Sequence, residues 1–207
     1  MEISEAIRRR RTVRDYLPDP VAITTIRHLI TAASWAPSAM NEQPWHFTVV
    51  TERALLDDIS ARSKAWMLQS ASDMATSDHF RDLLRDSHFH LFYNAPALIV
   101  ISATAKTQWS VEDCSLASQN LMLAAVDRGL GSCWIGFAQG WLNTNEGREC
   151  LGLPASSCVV APIIVGYPRS EAPPVSRKAP IVTWIGALPV DEPKPQDPSS
   201  SLLPPSS

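Results

Sequence analysis

A chain of 207 residues with 45% hydrophobic content can bury one sizeable core, which favours one domain or at most two small ones. Its formal charge of -3 and isoelectric point near 5.9 give no overall basic field for gripping nucleic acid or an anionic membrane surface, so any bound anion is held locally. No run of about 18 apolar residues occurs, and Met1 to Arg11 is charged, so neither a membrane span nor a signal peptide is expected and a cytoplasmic address follows by default.

In chain order, Ile3, Ala6 and Ile7 share one helical face that ends in the run Arg8 to Arg11. Pro18 and Pro20 break the pattern, after which Ile23, Ile26, Leu29, Ile30 and Ala33 predict a second helix up to about Trp35. Pro37 and Pro44 bracket a loop, and Phe47 to Val50 reads as a short strand. From Arg53 to Phe92 the chain is polar, free of Pro and Gly, and loosely helical. Ala97 to Ile101 is a short apolar run suited to a central strand. A helix follows up to Arg128, its start compatible with a capping box between Ser110 and Asp113. Cys133 to Phe137 reads as a strand or strand-to-loop segment, Trp141 to Cys150 as a helix, and Cys158 to Val165 as a strand. Beyond about Leu188, Pro and Ser dominate, a composition that buries too little apolar surface to offset ordering entropy. The expected division is therefore a domain over 1–187 and a tail over 188–207, disordered or draped over a partner.

The four cysteines lack C-x-x-C or Cys/His metal spacing and read as reduced and mostly buried. His88 and His90, two apart, are better explained as part of a solvated amphipathic segment than as metal ligands, so no metal is expected.

Three segments carry chemistry. Arg8 to Arg14 holds five arginines in seven positions, a density that repels itself unless an anion compensates it. In an extended segment alternate side chains point the same way, so Arg10, Thr12 and Arg14 can converge on one ligand, with phosphate the natural candidate; the competing reading is a solvated basic helix end. The loop Ala36 to Trp45 offers Ser38, Asn41 and Gln43, groups suited to the edge of a planar heterocycle, although alone it reads as a connector. The stretch Gly129 to Phe137 invites a dinucleotide-binding reading and fails it, because Trp134 takes the place of the third glycine and the stretch follows a helix.

Together and in this order, these segments resemble the nitroreductase family. The likeness rests on Arg-Arg-Thr-Val-Arg-Asp-Tyr (10–16), Ala-Pro-Ser-x-x-Asn-x-Gln-Pro-Trp (36–45), Asn94-Ala95-Pro96-Ala97, the glycine pattern of 129–136 and Gly166-Tyr167-Pro168, and it spans the chain up to about Lys178. The resemblance implies an α+β sandwich, a central mostly antiparallel sheet flanked by helices, whose subunits interlock as a homodimer with FMN at the seam. Carried over by position, Arg10, Arg11, Thr12 and Arg14 would hold the FMN phosphate and the pyrimidine edge, Ser38, Ala39 and Asn41 would come from the other subunit, and Pro37 and Gln43 would also bind the cofactor. Cys133, Trp134, Ile135 and Gly136 would lie along the ring, with the Gly136 N–H near N5, and Arg177 and Lys178 would reach the phosphate. No side chain would act as acid or base; Arg14 would tune the flavin. The implied activity is hydride transfer from NADH or NADPH through FMN to an electrophilic acceptor, such as a nitroaromatic or quinone, in a ping-pong cycle. Alternatives are a flavin-binding sensor or sequestering protein without turnover, and family variants with dehalogenase or dehydrogenase chemistry. Trp66, Met67, Phe89 and Phe92 are candidates for an apolar pocket wall, though such residues at helical spacing are more often core.

Overall fold

The computed structural model describes residues 1–70 and 78–186. Its middle layer is a sheet of β1 (Trp45–Val50), β2 (Ala97–Ala103), β3 (Gly131–Trp134) and β4 (Cys158–Gly166), ordered β1-β2-β4-β3 with every pair antiparallel. All seven residues of β2 are buried. Successive strand side chains face opposite ways, so two-sided burial demands an apolar residue at nearly every position. Ala97, Ile99, Ile101 and Ala103 enter a core shared with Leu29 and Ala33 of α2 (Ile23–Ser34) and with Cys114, Ala117 and Leu121 of α5 (Ser110–Asp127). Leu98 and Val100 face the other layer, where Leu56, Ile59 and Met67 of α3 (Arg53–Ser70) meet Ala138, Trp141 and Leu142 of α6 (Gly136–Leu142). The result is the α+β sandwich that the sequence implies.

The amino end begins with α1 (Ile3–Arg9). The chain then runs extended beside β3: Thr12 bridges Ser132 in parallel, Val13 N–H donates to the Ser132 carbonyl at 3.1 Å, and Leu17 N–H donates to the Tyr167 carbonyl at 2.8 Å. Val13 is buried between the exposed Thr12 and Arg14, as alternation in an extended segment requires, and the alternation breaks at the buried Tyr16, whose hydroxyl donates to the Val13 carbonyl at 2.7 Å.

Four local expectations need correction. The helical stretch expected over Arg53 to Phe92 yields α3 and α4 (Asp78–Arg85), and the chain then leaves helix, because Lys64 Nζ takes the carbonyls of Asp86 and Phe89, both at 2.7 Å. The strand expected over Cys133 to Phe137 stops at Trp134, and Gly136 opens α6. The helix expected over Trp141 to Cys150 is split between α6 and α7 (Asn145–Cys150). Asn143 between them turns its side chain to the backbone of Val159, and Thr144 caps α7 by accepting from Gly147 N–H. No capping box forms at α5: Ser110 Oγ donates to the Ala105 carbonyl and Asp113 reaches elsewhere.

The chain divides into two units, 1–174 and 175–207, the boundary falling upstream of the compositional shift near Leu188. In the second unit the described residues form no helix or strand, and the expected tail over 188–207 lies outside the described residues. All four cysteines are free, Cys114 and Cys133 buried. Among the described residues no helix is long and apolar enough to cross a membrane, and no group of three or more His, Cys, Asp or Glu side chains is placed to hold a metal.

Candidate functional site

Where β3 hands over to α6, the backbone of Cys133 to Phe137 floors a cleft of about 160 Å³, walled by Arg14, Leu91 and Tyr93. A Cβ built on Gly136 would meet nothing within 4 Å, so the space above this backbone is open. Burial pushes the Cys133 thiol up, opposed by the guanidinium groups of Arg14 and Arg10. Arg14 lines the cleft beside Cys133, and Arg10 is near enough for its charge to act on the thiol.

Arg11 faces away from this cleft. Its Nη1 donates to the carbonyls of Arg8 and Arg10, and its Nε is buried without a hydrogen-bond partner. With Val13 it lines a separate cavity of about 630 Å³ beside Gly129 and Gly131 and the segment from Pro168 to Pro174. The larger cavity is thus not the one that collects the predicted ring-facing residues.

Tyr93 and Leu91 are wall residues that sequence reasoning missed. The four proposed instead are absent from the cleft: Phe92 and Met67 are core, Trp66 packs against Gly140, and Phe89 meets the Tyr93 ring edge-on at 5.7 Å. Tyr93 and Asn94 have φ of 50° and 55°, left-handed backbone that costs an L-residue about 1–2 kcal/mol each. Two turns hold them, with Tyr93 N–H donating to the His90 carbonyl at 2.8 Å and Ala95 N–H to the Phe92 carbonyl at 2.9 Å. Arg14 lies 5.8 Å from the Tyr93 ring centroid, within cation–π range.

One face of α3 grips this turn. Arg53, Asp57, Ser60 and Lys64 recur at helical spacing. Arg53 donates to Asn94 Oδ1, and Asp57 Oδ1 lies 2.9 Å from His90 Nε2. Ser60 Oγ accepts from Leu91 N–H at 2.9 Å, and Lys64 takes the two carbonyls already described. His88, by contrast, is almost wholly solvated and His90 is not: the solvated reading holds for the first histidine only.

The loop over 37–43 stands apart from the cleft, and none of its residues is among the cleft's walls. It is nevertheless tightly built. Met40, Asn41 and Gln43 have φ of 52°, 56° and 50°, Gln43 N–H donates to Ser38 Oγ and Gln43 Nε2 to Asn41 Oδ1. Asp113, a 3% exposed carboxylate on α5, accepts from Ala39 N–H at 2.9 Å. Asn41 and Gln43 are exposed and Ser38 and Ala39 half-buried, beside Trp35 and Met40, which are 82% and 90% exposed. Arg177 and Lys178 lie in the second unit, both exposed on an extended stretch.

The sequence and the fold match known proteins. The Nitroreductase family model matches residues 7–167. A protein of Archaeoglobus fulgidus, named as a candidate NADH dehydrogenase/NAD(P)H nitroreductase, is 35% identical over 176 residues, 82% of this chain and 87% of its own. The nitrobenzene nitroreductase of Ectopseudomonas oleovorans is 28% identical over 83% of this chain and 88% of its own. Among solved structures, the nitroreductase of Bacteroides fragilis, which holds bound FMN, superposes with a TM-score of 0.79 at 28% identity, over 90% of this chain and all of its own. With the match running from α1 through β4 and past every wall of the cleft, the chain belongs to the nitroreductase family.

Proposed function

We propose that this protein is an FMN-dependent oxidoreductase that passes hydride from NADH or NADPH to an electrophilic acceptor, a nitroaromatic or a quinone, in a ping-pong cycle. The observation that carries this reading is the cleft where Arg14 and the open backbone at Gly136 face one space. These residues fit a flavin: the buried Cys133 and Ile135 offer a flat apolar floor, the missing side chain at 136 leaves room above it, and Arg14 supplies a cation at the rim. When bound, FMN supplies a two-electron hydride carrier at N5.

The chain's own residues then bind and orient. Arg14 would set positive charge at the pyrimidine edge, where it would favour the reduced ring by charge-assisted hydrogen bonding. Arg10 and Thr12, at positions alternating with Arg14, would continue toward the phosphate, whereas Arg11 lines a separate cavity. The Gly136 N–H would donate at N5. Leu91 and Tyr93 exclude water from one side.

We further propose that the working unit is a homodimer. A space of about 160 Å³ is roughly half of what a small-molecule site needs, about 300–1,000 Å³, so a second wall is required. The rigid loop of Pro37 to Gln43, facing outward with Trp35 and Met40, has the chemistry to be that wall in a partner subunit. The names of the relatives, nitrobenzene nitroreductase among them, support the acceptor class.

An absorption spectrum of the purified protein tests the cofactor, and oxidation of NADH and NADPH with menadione or a nitroaromatic tests turnover. A yellow dimer with acceptor-dependent oxidation is expected. A colourless monomer, even after incubation with FMN, would sink the proposal.

A further inference from the structure

We propose that His90 is a positioning residue for the reaction: its neutral ring fixes the left-handed turn that carries Tyr93 into the cleft, so that protonating His90 releases the wall facing Arg14. This rests on the reading of the cleft as the flavin site.

Both ring nitrogens of His90 are committed. Nδ1 accepts from Phe92 N–H at 3.1 Å, which places the ring proton on Nε2, where it donates to Asp57 Oδ1 at 2.9 Å. A protonated imidazole has no acceptor, so the Phe92 bond cannot survive it. That bond sits inside the turn, between the His90 carbonyl that receives Tyr93 N–H and the Phe92 carbonyl that receives Ala95 N–H. The left-handed backbone at Tyr93 and Asn94 stores strain that only these bonds and the α3 face oppose. Its loss displaces Tyr93 from its stack with Arg14, the two groups that wall the cleft together.

The charges around the ring favour the neutral form. Burial lowers the His90 pKa from its ordinary value of 6.5, the Arg53 guanidinium lowers it further, and Lys64 adds to this, while Asp57 alone pulls it back up. On its own segment Asp86 and His88 interact with each other. Because the folded value is depressed, the ordered turn is fully favoured above pH 6.5, and its advantage is lost as pH falls through the folded value.

The experiment has two arms. In the first, 1H–15N spectra of the full chain follow the Phe92 amide from pH 8 to 5, with and without FMN. The amide should move with a midpoint below 6.5, in step with the His90 ring, and should not titrate in His90→Gln, whose amide can keep both bonds without taking up a proton. In the second, acceptor kcat/KM is measured over the same range on protein whose flavin content is checked at each pH. The wild type should lose about 10-fold on its acid limb, and H90Q should flatten that limb while staying within about 3-fold of wild type at pH 7.5. His90→Ala should be impaired at every pH. An acid limb unchanged in H90Q, or a Phe92 amide that ignores the His90 titration, overturns the inference. Protein that never binds flavin defeats the functional reading instead, and the amide titration still decides the link between ring and turn.

Discussion

Arg14→Ala is expected to raise the dissociation constant for FMN by about 10- to 100-fold, because a charge-assisted hydrogen bond is worth about 1.5–3 kcal/mol. Arg14 is singled out among the amino-terminal arginines by geometry. It alone lines the cleft over Cys133 to Phe137 and stacks on Tyr93. Arg9 is the control: it is paired with Glu5 along α1, and its replacement by alanine should leave the constant within about 2-fold, since such an exposed helical pair is worth little. Arg14→Lys should fall between the two, keeping the charge and losing the planar fork. Fluorescence titration of the apoprotein with FMN measures all three. Equal constants for R14A and wild type would remove Arg14 from the site.

The second large effect belongs to a residue with no side chain. A Cβ at Gly131 would stand 2.7–2.9 Å from Cβ, Cγ1 and Cγ2 of Val13, closer than real contacts allow. Val13 is β-branched and tied through its N–H to Ser132, so it cannot swing aside cheaply. Gly131→Ala should therefore destabilise the protein by about 1–3 kcal/mol, a fall in Tm of roughly 2–10 °C. It should also weaken FMN binding, because the displaced segment carries Thr12 and Arg14. Adding Val13→Ala should restore both properties in part. If G131A unfolds like the wild type and binds FMN equally, the packing of the segment on β3 is not what positions the cations.

Much of this architecture was legible in the residues themselves. β2 and β4, buried on both faces, are written as unbroken apolar runs, and α2 carries a plain helical repeat. Alternation in the arginine segment set Thr12 and Arg14, both exposed, apart from the buried Val13. What stayed hidden depends on contacts distant in sequence. Asp113 looks like a helix cap until its carboxylate is seen to reach Ala39, 74 residues away. Tyr93 escaped notice because no glycine marks the left-handed turn; the grip of α3, not local propensity, makes it. The start of α6 at Gly136 was hidden by an apolar stretch without helical period.

The parallel bridge of Thr12 to Ser132, with the tie of Leu17 to Tyr167, also orders events during synthesis. The cationic segment leaves the ribosome well before its seats at Ser132 and Tyr167. A nascent chain halted before Ser132 owns every one of those arginines and no anchor for them. Ordering of the cationic segment therefore waits for β3, and a chain cut before Ser132 carries the charges without the strand that holds them.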